Sequence, residues 1–479
     1  MLLASASVPD SSDRADWAAF VQHLRDIGLT REFTLARQRE SERFPASLRS
    51  DWLIHSYRHD PSPAAVALCL LAFDHPVPQE RALAALGASW FEFLVRRGLV
   101  IAIEGGWLCP FQLLLVNELY VFADRPGMEP NAIMALGPTT EVLARASFPQ
   151  TDIGSALDLG CGCGVLALLL ARVATQVVAT DLNPRAVAMT RLNAALNGIE
   201  NLSVRHGDLF APVEGERFDL IVSQPPFLGC ADGESRVLFL HGGRRGDELT
   251  RRIVEELPNY LSAQGIGFVL ADFGLAEGER VSARLPSLPG AGVTILVAGK
   301  AIDLDVNAAL YLANGQFLSG DALWEQTGRQ VVHARACGVD HLLPALLILE
   351  SGKSGVRELA VAPDRWSDLD RSLIDPLIVA ARGLDEPWTA WQGRRLRLVD
   401  GTRVVHEYPF VAHEQGRLVL RSGSGSLLPE PVVGESVLPL IAAVHGAPSV
   451  AAAVPELPGE VVAPILAQLV LHGILRITA

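Results

Sequence analysis

The sequence predicts an α/β protein whose central region is an open, parallel β-sheet with helices on both faces. Two observations carry this prediction: strand and helix patterns alternate along the middle of the chain, and a glycine-rich turn joins the first of these strands to the first helix. The chain has 479 residues, more than one hydrophobic core normally holds, so we expect further domains on either side.

The core elements follow one another in a regular series. Short apolar runs bounded by polar or glycine residues indicate buried strands, and longer segments between them indicate helices. Pro184 stands in the first turn of one predicted helix and Gly265 closes another, which are the places these residues favour. The predicted strands cover residues 155–159, 177–180, 202–205, 218–223 and 266–271, and the predicted helices cover 165–173, 184–197 and 247–263.

These patterns divide the chain into an N-terminal helical domain (1–129), a central α/β domain (130–355) and a C-terminal accessory domain (356–479) of mixed α and β structure. The N-terminal domain contains a segment typical of a winged helix, with helices at 80–86 and 91–97 before a hairpin. The hairpin strands are 100–103 and 107–108, joined across Gly105 and Gly106.

The end of the chain has a pattern similar to part of this winged-helix segment. Residues 469–475 and 94–100 share an apolar helix end, a glycine and a following strand. Two related winged-helix-like flanks would produce this similarity, and so would any two helices that end at a glycine before a strand. The sequence leaves both interpretations open.

Charge and hydropathy restrict the partners. The net charge is −14, whereas a nucleic-acid partner favours a basic face, so the charge argues against nucleic acid without excluding it. The most apolar long segment, 437–454, is broken by Pro439 and Pro448, so we expect no membrane span. No basic residues precede the short apolar stretch at the N-terminus, so we expect no secretory signal and a cytoplasmic protein.

The six cysteines are scattered, and only Cys161 and Cys163 lie close together. Their spacing is not that of metal ligands, and there is no second pair. We therefore expect reduced, buried thiols and no metal site.

The glycine-rich turn runs from Asp158 to Gly164 and reads Asp-Leu-Gly-Cys-Gly-Cys-Gly. Alone, it could be an ordinary strand–helix turn or a dinucleotide-binding loop.

Three further features, at the ends of the next three strands, distinguish it from these two possibilities. Asp181 closes the second strand, where a carboxylate can accept hydrogen bonds from two ribose hydroxyls. Asp208 and Leu209 follow the third strand, where they could meet an adenine amino group and ring, and Ser-Gln-Pro-Pro-Phe (223–227) closes the fourth.

Together these four segments resemble the class I S-adenosylmethionine (SAM)-dependent methyltransferases. The resemblance is to the branch that methylates planar nitrogens, which includes release-factor glutamine, adenine-N6 and ribosomal RNA guanine-N2 methyltransferases. It covers about residues 137–271 and implies a Rossmann-like core, SAM as the cofactor and direct transfer of the methyl group. By the same resemblance, the residues that bind SAM are Asp158, Gly160, Gly162 and Gly164 (methionine moiety), Asp181 (ribose), and Asp208 and Leu209 (adenine).

The catalytic residues implied by the resemblance are Gln224, Pro225 and Phe227. In the family the motif is usually Asn-Pro-Pro-aromatic: the Asn side-chain carbonyl and the first proline's backbone carbonyl accept hydrogen bonds from the target nitrogen. The aromatic ring holds the plane of the substrate. Here Gln224 stands in the Asn position, and its extra methylene moves the acceptor and raises the entropy cost of ordering it. This difference suggests a substrate of another shape.

We therefore predict an N-methyltransferase for a planar guanidino or amide nitrogen of a small amino-acid-like metabolite. The alternatives are a protein side chain, then RNA, or a regulator of the winged-helix type that senses SAM without catalysis. A homodimer is an open option. A cationic substrate would favour a carboxylate nearby, and a general base could be a histidine. The further candidates are Glu118, Asp124, Asp232, Glu234, His241, Arg244, Arg245 and Asp247, with residues 137–140 as a contact for the cofactor's carboxylate.

Overall fold

The computed structural model describes residues 6–125, 130–231, 237–288, 290–315, 319–383, 386–407, 417–423, 426–434, 436–455 and 457–478. Its centre is a nine-stranded sheet. The strands of this sheet are β1 (Ile153–Leu159), β2 (Ala174–Asp181), β3 (Leu202–His206), β4 (Phe218–Ser223), β5 (Leu261–Leu275), β6 (Ala291–Val297), β7 (Ile302–Asp303), β8 (His341–Ser351) and β9 (Val356–Ala360).

The strand order is β9-β6-β8-β5-β4-β1-β2-β3, with β7 paired to β8. Strands β1 to β5 are all parallel, and they form the expected Rossmann-like core. The expectation of a wholly parallel sheet is wrong at one side, because β8 runs antiparallel to both β5 and β6. Antiparallel neighbours need no crossover along the sheet face, and a helical hairpin before β8 returns the chain in the opposite direction.

Seven helices accompany the sheet strands. The predicted helix 247–263 is too long: it ends at Glu256, a 3₁₀ turn covers Leu257–Tyr260, and β5 begins at Leu261. Pro258 explains the early end, because proline has no N–H for the helix and restricts the residue before it. The helices are α1 (Pro138–Ser147), α2 (Val165–Leu170), α3 (Pro184–Leu196), α4 (Glu248–Glu256), α5 (Val281–Arg284), α6 (Leu304–Gly315) and α7 (Gly320–Ala336).

The two faces of the sheet belong to two different hydrophobic cores. In β8, Leu346 and Ile348 point into one core, and Leu347 and Leu349 point into the other. Successive side chains of a strand face opposite sides, so a strand buried on both faces has a continuous apolar run. The first core also contains much of the N-terminal region, which therefore packs against the sheet domain.

The N-terminal region contains the two helices and the hairpin that the sequence predicts for a winged-helix segment. Its helices are Gln79–Leu86 and Ala88–Arg96, and its hairpin pairs Ile101–Ile103 with Gly106–Leu108. Val77 adds a bridge to Trp107. The other elements are the helices Arg14–Asp26, Arg31–Ser41, Ala46–His59 and Pro63–Ala72 and the hairpin strands Phe111–Val116 and Leu119–Asp124.

At the C-terminal side, β9 pairs with β6, so the first strand after residue 355 lies in the central sheet. No described helix has both the length and the apolar character needed to cross a bilayer. The elements after β9 are a 3₁₀ turn Trp366–Asp368, helices Arg371–Arg382, Trp388–Trp391, Val437–Val444, Val450–Ala453 and Gly459–Leu471, and strands Arg395–Leu398, Arg403–Glu407, Arg417–Arg421, Val432–Val433 and Leu475–Thr478.

The two similar segments end their helices in the same way. Gly98 and Gly473 both have left-handed φ angles, of 71° and 67°. The strands that follow pair differently: the first forms a hairpin with the next strand, whereas Leu475–Thr478 pairs with the earlier strand Arg395–Leu398. The two segments therefore share a helix-ending turn and differ in how the following strand pairs.

Candidate active site

A cavity of about 470 Å³ opens at the carboxyl ends of the parallel strands. Ligands of open α/β sheets bind at this edge, beside the point where the strand order reverses. Here β1 lies between β2 and β4, and the turns after all three strands contribute to the cavity wall. The structure thus brings together the glycine-rich turn, Asp181 and the segment 223–226, which are separated along the chain.

The glycine-rich turn contributes to the cavity in two ways. Gly160 and Gly162, with φ angles of 79° and 54°, line the wall, and such left-handed angles favour glycine. Asp158 and Gly164 stand behind the wall instead. The buried Asp158 carboxylate accepts the N–H of Ala167 at 3.0 Å, which anchors the start of α2. Burial raises the pKa of Asp158 to about 7.

Cys161 and Cys163 also line the cavity, and both are buried. Burial raises the pKa of Cys163 to about 11 and that of Cys161 well above its usual value. Both thiols therefore stay protonated at neutral pH, and neither is an activated nucleophile.

Asp181 stands on the cavity wall at the end of β2. One carboxylate oxygen accepts the N–H of Gly162 at 2.9 Å and the other accepts the N–H of Asn183 at 2.8 Å. Burial raises its pKa. A carboxylate can accept about four hydrogen bonds, so two acceptor sites remain for a diol such as a ribose. This residue therefore fits the role that the sequence suggests.

Asp208 and Leu209 form the next part of the wall. Asp208 makes an exposed ion pair with Arg252 of α4, at 3.1 Å. Leu209 has a φ of 44°, a left-handed conformation that costs a non-glycine residue about 1 kcal/mol. The hydroxyl of Thr180 donates to the Leu209 carbonyl at 3.4 Å and supports this conformation, which places an apolar side chain at the cavity.

Gln224 and Pro225 line the cavity directly after β4. The side-chain nitrogen Nε2 of Gln224 donates to the hydroxyl of Thr139, at 2.7 Å. Among the described residues, no donor is bonded to the Gln224 carbonyl oxygen Oε1. The preceding Ser223 is buried, and its hydroxyl donates to the Leu159 carbonyl at 2.8 Å, which ties the motif to β1.

Phe227, in contrast, does not belong to the cavity wall. Its ring is buried and packs edge-on against Tyr311 of α6, with 5.2 Å between the ring centroids. Tyr311 is hydrogen-bonded to the buried carboxyl of Asp272, which also accepts from the side chain of Asn307 at 3.2 Å. Burial raises the pKa of Asp272 to about 6. The aromatic residue of the motif is therefore held by the α6–α7 hairpin.

Sequence reasoning missed several parts of the wall. The segment 132–136, which has no distinctive pattern, runs along the cavity before α1. The N–H of Ile133 donates to Asp124, and the side chain of Asn183 donates to the Asn131 carbonyl at 2.8 Å, so the start of this segment is fixed. Other missed wall residues include Leu182, Asn183, Ala186, Leu238, Phe239, Leu249, Arg252 and Ile253, whereas Thr140, which also lines the cavity, belongs to the predicted segment 137–140.

The remaining candidates serve other contacts. His241 is buried and accepts the N–H of Val237 through Nδ1, at 3.1 Å. Asp247 is paired with Arg284, and Arg245 with Glu279. None of the described candidates among these charged and histidine residues lines the cavity. Asp124 pairs with Arg185, Arg244 follows the strand His241–Gly243, Glu118 occupies a hairpin turn, and Asp232 and Glu234 lie outside the described residues.

The methyltransferase small domain family matches residues 132–272, a range that includes all the residues lining the cavity. A provisionally named protein N5-glutamine methyltransferase of Methanocaldococcus jannaschii is 35% identical over 27% of this chain and 68% of its own length. The release factor glutamine methyltransferase of Geobacter sulfurreducens is 33% identical over 36% of this chain and 63% of its own length.

The ribosomal RNA small subunit methyltransferase C of Alcanivorax borkumensis is 35% identical over 25% of this chain. That match spans only 32% of the relative's length. In all three comparisons the similarity is confined to a quarter to about a third of this chain.

Proposed function

This chain belongs to the class I SAM-dependent methyltransferases, and on that premise we propose that it methylates a planar nitrogen of a protein side chain. The observation that carries the proposal is the arrangement at Gln224. Gln224 lines the cavity, its amide nitrogen is bonded to Thr139, and no described donor is bonded to its carbonyl oxygen. An acceptor nitrogen that carries N–H groups would satisfy this oxygen.

SAM, the cofactor of this family, supplies an electrophilic methyl group when bound. Asp181 and the turn at Gly160 and Gly162 would hold the cofactor's ribose and methionine moieties, and Asp208 and Leu209 its adenine. These residues fit it because the cavity offers a diol acceptor at one strand end and an apolar contact at the next.

Gln224 and Pro225 would then orient the acceptor. The lone pair of an amide or guanidino nitrogen is delocalised, so hydrogen bonds from its N–H groups to carbonyl oxygens fix the plane of the group. In the reaction the nitrogen would gain the methyl group as the cofactor's sulfur–methyl bond breaks and leaves a neutral thioether, and the nitrogen would release one proton to water. No covalent intermediate with the protein and no metal is needed for this scheme, since positioning accounts for the rate gain.

The choice of a protein acceptor replaces the small metabolite that the sequence alone favours. Two of the relatives described above are named as protein glutamine methyltransferases, and the third is named for ribosomal RNA. The net charge of −14 disfavours RNA as the acceptor here. A protein amide or guanidino group keeps the predicted nitrogen chemistry and fits these relatives better.

The experiment is transfer from methyl-labelled SAM into a desalted, ribonuclease-treated cell extract, followed by mass spectrometry of labelled proteins. We expect label on Gln or Arg side chains with the wild-type protein, and a rate about 100-fold lower with Gln224→Ala. Label confined to the small molecules of an undesalted extract, or to RNA in an untreated one, would refute the protein acceptor.

A SAM-sensing regulator that binds DNA through its winged-helix segment is disfavoured by charge. In the helix Ala88–Arg96, the exposed charged residues are Glu92 and Arg96, which do not form a basic face. Equilibrium binding of SAM without transfer to any pool would revive this alternative.

A further inference from the structure

The sequence suggests residues 137–140 as a contact for the cofactor's carboxylate, yet the hydroxyl of Thr139 is the partner of the Gln224 amide. We propose that Thr139 is a positioning residue, which holds the amide of Gln224 so that the carbonyl oxygen Oε1 faces the acceptor nitrogen. This inference rests on the proposed function, because it assigns the orientation of the group that would bind the acceptor.

The hydroxyl of Thr139 is held in a fixed place. Thr139 is the second residue of α1, which begins at Pro138, and proline favours the first turn of a helix. The inner face of α1 is buried through Val142, Leu143 and Ala146. Thr139 itself is absent from the cavity wall, so it acts on the site through Gln224.

The pair also accounts for a glutamine at this position. An asparagine side chain is shorter by one C–C bond, roughly 1.5 Å. Extending the present 2.7 Å contact by that length would exceed hydrogen-bond range. A glutamine has one more rotatable bond, and ordering it costs entropy. The hydrogen bond to Thr139 offsets that cost and selects one direction for the carbonyl.

Two substitutions separate the hydroxyl from the shape of the side chain. Thr139→Val has nearly the same volume but cannot accept the Gln224 amide, whereas Thr139→Ser keeps the hydroxyl. With the extract protein pool as acceptor, we expect kcat about tenfold lower for Thr139→Val and close to wild type for Thr139→Ser, with the KM for SAM unchanged in both.

A double-mutant cycle tests whether Thr139 acts through Gln224. In a Gln224→Ala background, Thr139→Val should have no further effect on kcat, because its partner is already absent. Equal rates for wild type and Thr139→Val would overturn the inference. So would a tenfold loss that persists in the Gln224→Ala background.

Crystal structures of the wild type, Thr139→Val and Thr139→Ser provide a readout independent of the acceptor. We expect the Gln224 side chain in the same place in wild type and Thr139→Ser, and displaced in Thr139→Val. An unmoved side chain in Thr139→Val overturns the inference. If the wild type labels no pool, the proposed function fails, while these structures still decide whether Thr139 positions Gln224.

Discussion

At the scale of single residues, we propose Asp181 as the carboxylate on which SAM binding depends most. It orders the glycine-rich turn through Gly162 and the start of α3 through Asn183, and it has acceptor sites left over. Asp181→Asn replaces one acceptor oxygen by an amide donor, so we expect the affinity for SAM to fall by a factor of 10 to 100, about 1.4 to 2.7 kcal/mol. Isothermal titration calorimetry measures this change.

Asp152→Asn is the matched control, because Asp152 is exposed and precedes β1 at the opposite edge of the sheet. Its affinity for SAM should equal that of the wild type. An unchanged affinity in Asp181→Asn would remove Asp181 from the site.

Asp158 makes stability depend on pH. Burial raises its pKa from 3.8 to about 7, so the folded protein favours the protonated carboxyl. Below about pH 4 this carboxyl is protonated in both the folded and the unfolded protein. As the pH rises to about 7, only the unfolded protein gives up the proton, so the free energy of unfolding falls, by roughly 4 kcal/mol at most. Asp158→Asn keeps an acceptor for Ala167 and removes the titration.

We therefore expect the wild type to lose stability relative to Asp158→Asn between about pH 4 and about pH 7, as measured by thermal unfolding without cofactor. Parallel stability curves for the two proteins over this interval would contradict the assignment.

At the scale of elements, the glycine-rich turn and α3 are packed together through one close contact. A Cβ at Gly164 would lie 2.6 Å from Cγ2 of Thr190, whose hydroxyl donates to the Gly162 carbonyl. The φ of Gly164 is also left-handed, at 83°. We expect Gly164→Ala to lower the free energy of unfolding by about 2 to 4 kcal/mol, in chemical denaturation.

Gly198→Ala separates backbone strain from this contact. Gly198 has a similar φ, of 64°, but a Cβ there meets no atom within 4 Å. It should cost only about 1 kcal/mol. Equal losses for the two variants would show that the contact with Thr190 is unimportant.

At the scale of the whole molecule, two asparagines of the core bind the N-terminal region. The side chain of Asn193, on α3, donates to the Phe122 carbonyl and accepts the Phe122 N–H, both at 2.8 Å. Asn197, after the helix, pairs in the same way with Tyr120. The two amides thus form hydrogen bonds to the N–H and carbonyl groups at the edge of the strand Leu119–Asp124, as a neighbouring strand would.

Asn193→Ala would leave the buried N–H and carbonyl of Phe122 without these partners and would also remove the hydrogen bond to the Cys163 carbonyl in the core, at a cost of about 3 kcal/mol. Because two of the three lost hydrogen bonds join the core to the N-terminal region, we expect the N-terminal region to become sensitive to proteolysis at a lower temperature than the core. Asn201→Ala is the control, since its amide binds the Ala171 and Ala174 carbonyls within the core. Loss of both regions at one temperature in Asn193→Ala would contradict this picture.

The sequence by itself determined the first five core strands, the two helices and hairpin before residue 109, and the strand ends at which the four loop motifs stand. These features depend on local patterns: the alternation of apolar runs, the glycines that permit left-handed angles and the polar residues at strand ends. Helix ends were less well determined, and the helix after Asp247 stops at the 3₁₀ turn that contains Pro258.

Only the tertiary structure decided which motif residues reach the cavity. Asp158 and Gly164 support the turn from behind, Phe227 faces Tyr311, and Thr139 meets Gln224 from 85 positions away along the chain. The sequence also does not predict that β8 runs antiparallel to its neighbours, because a strand buried on both faces has the same apolar run in either direction. Contacts between distant segments leave no local pattern, and these contacts fix the geometry of the site.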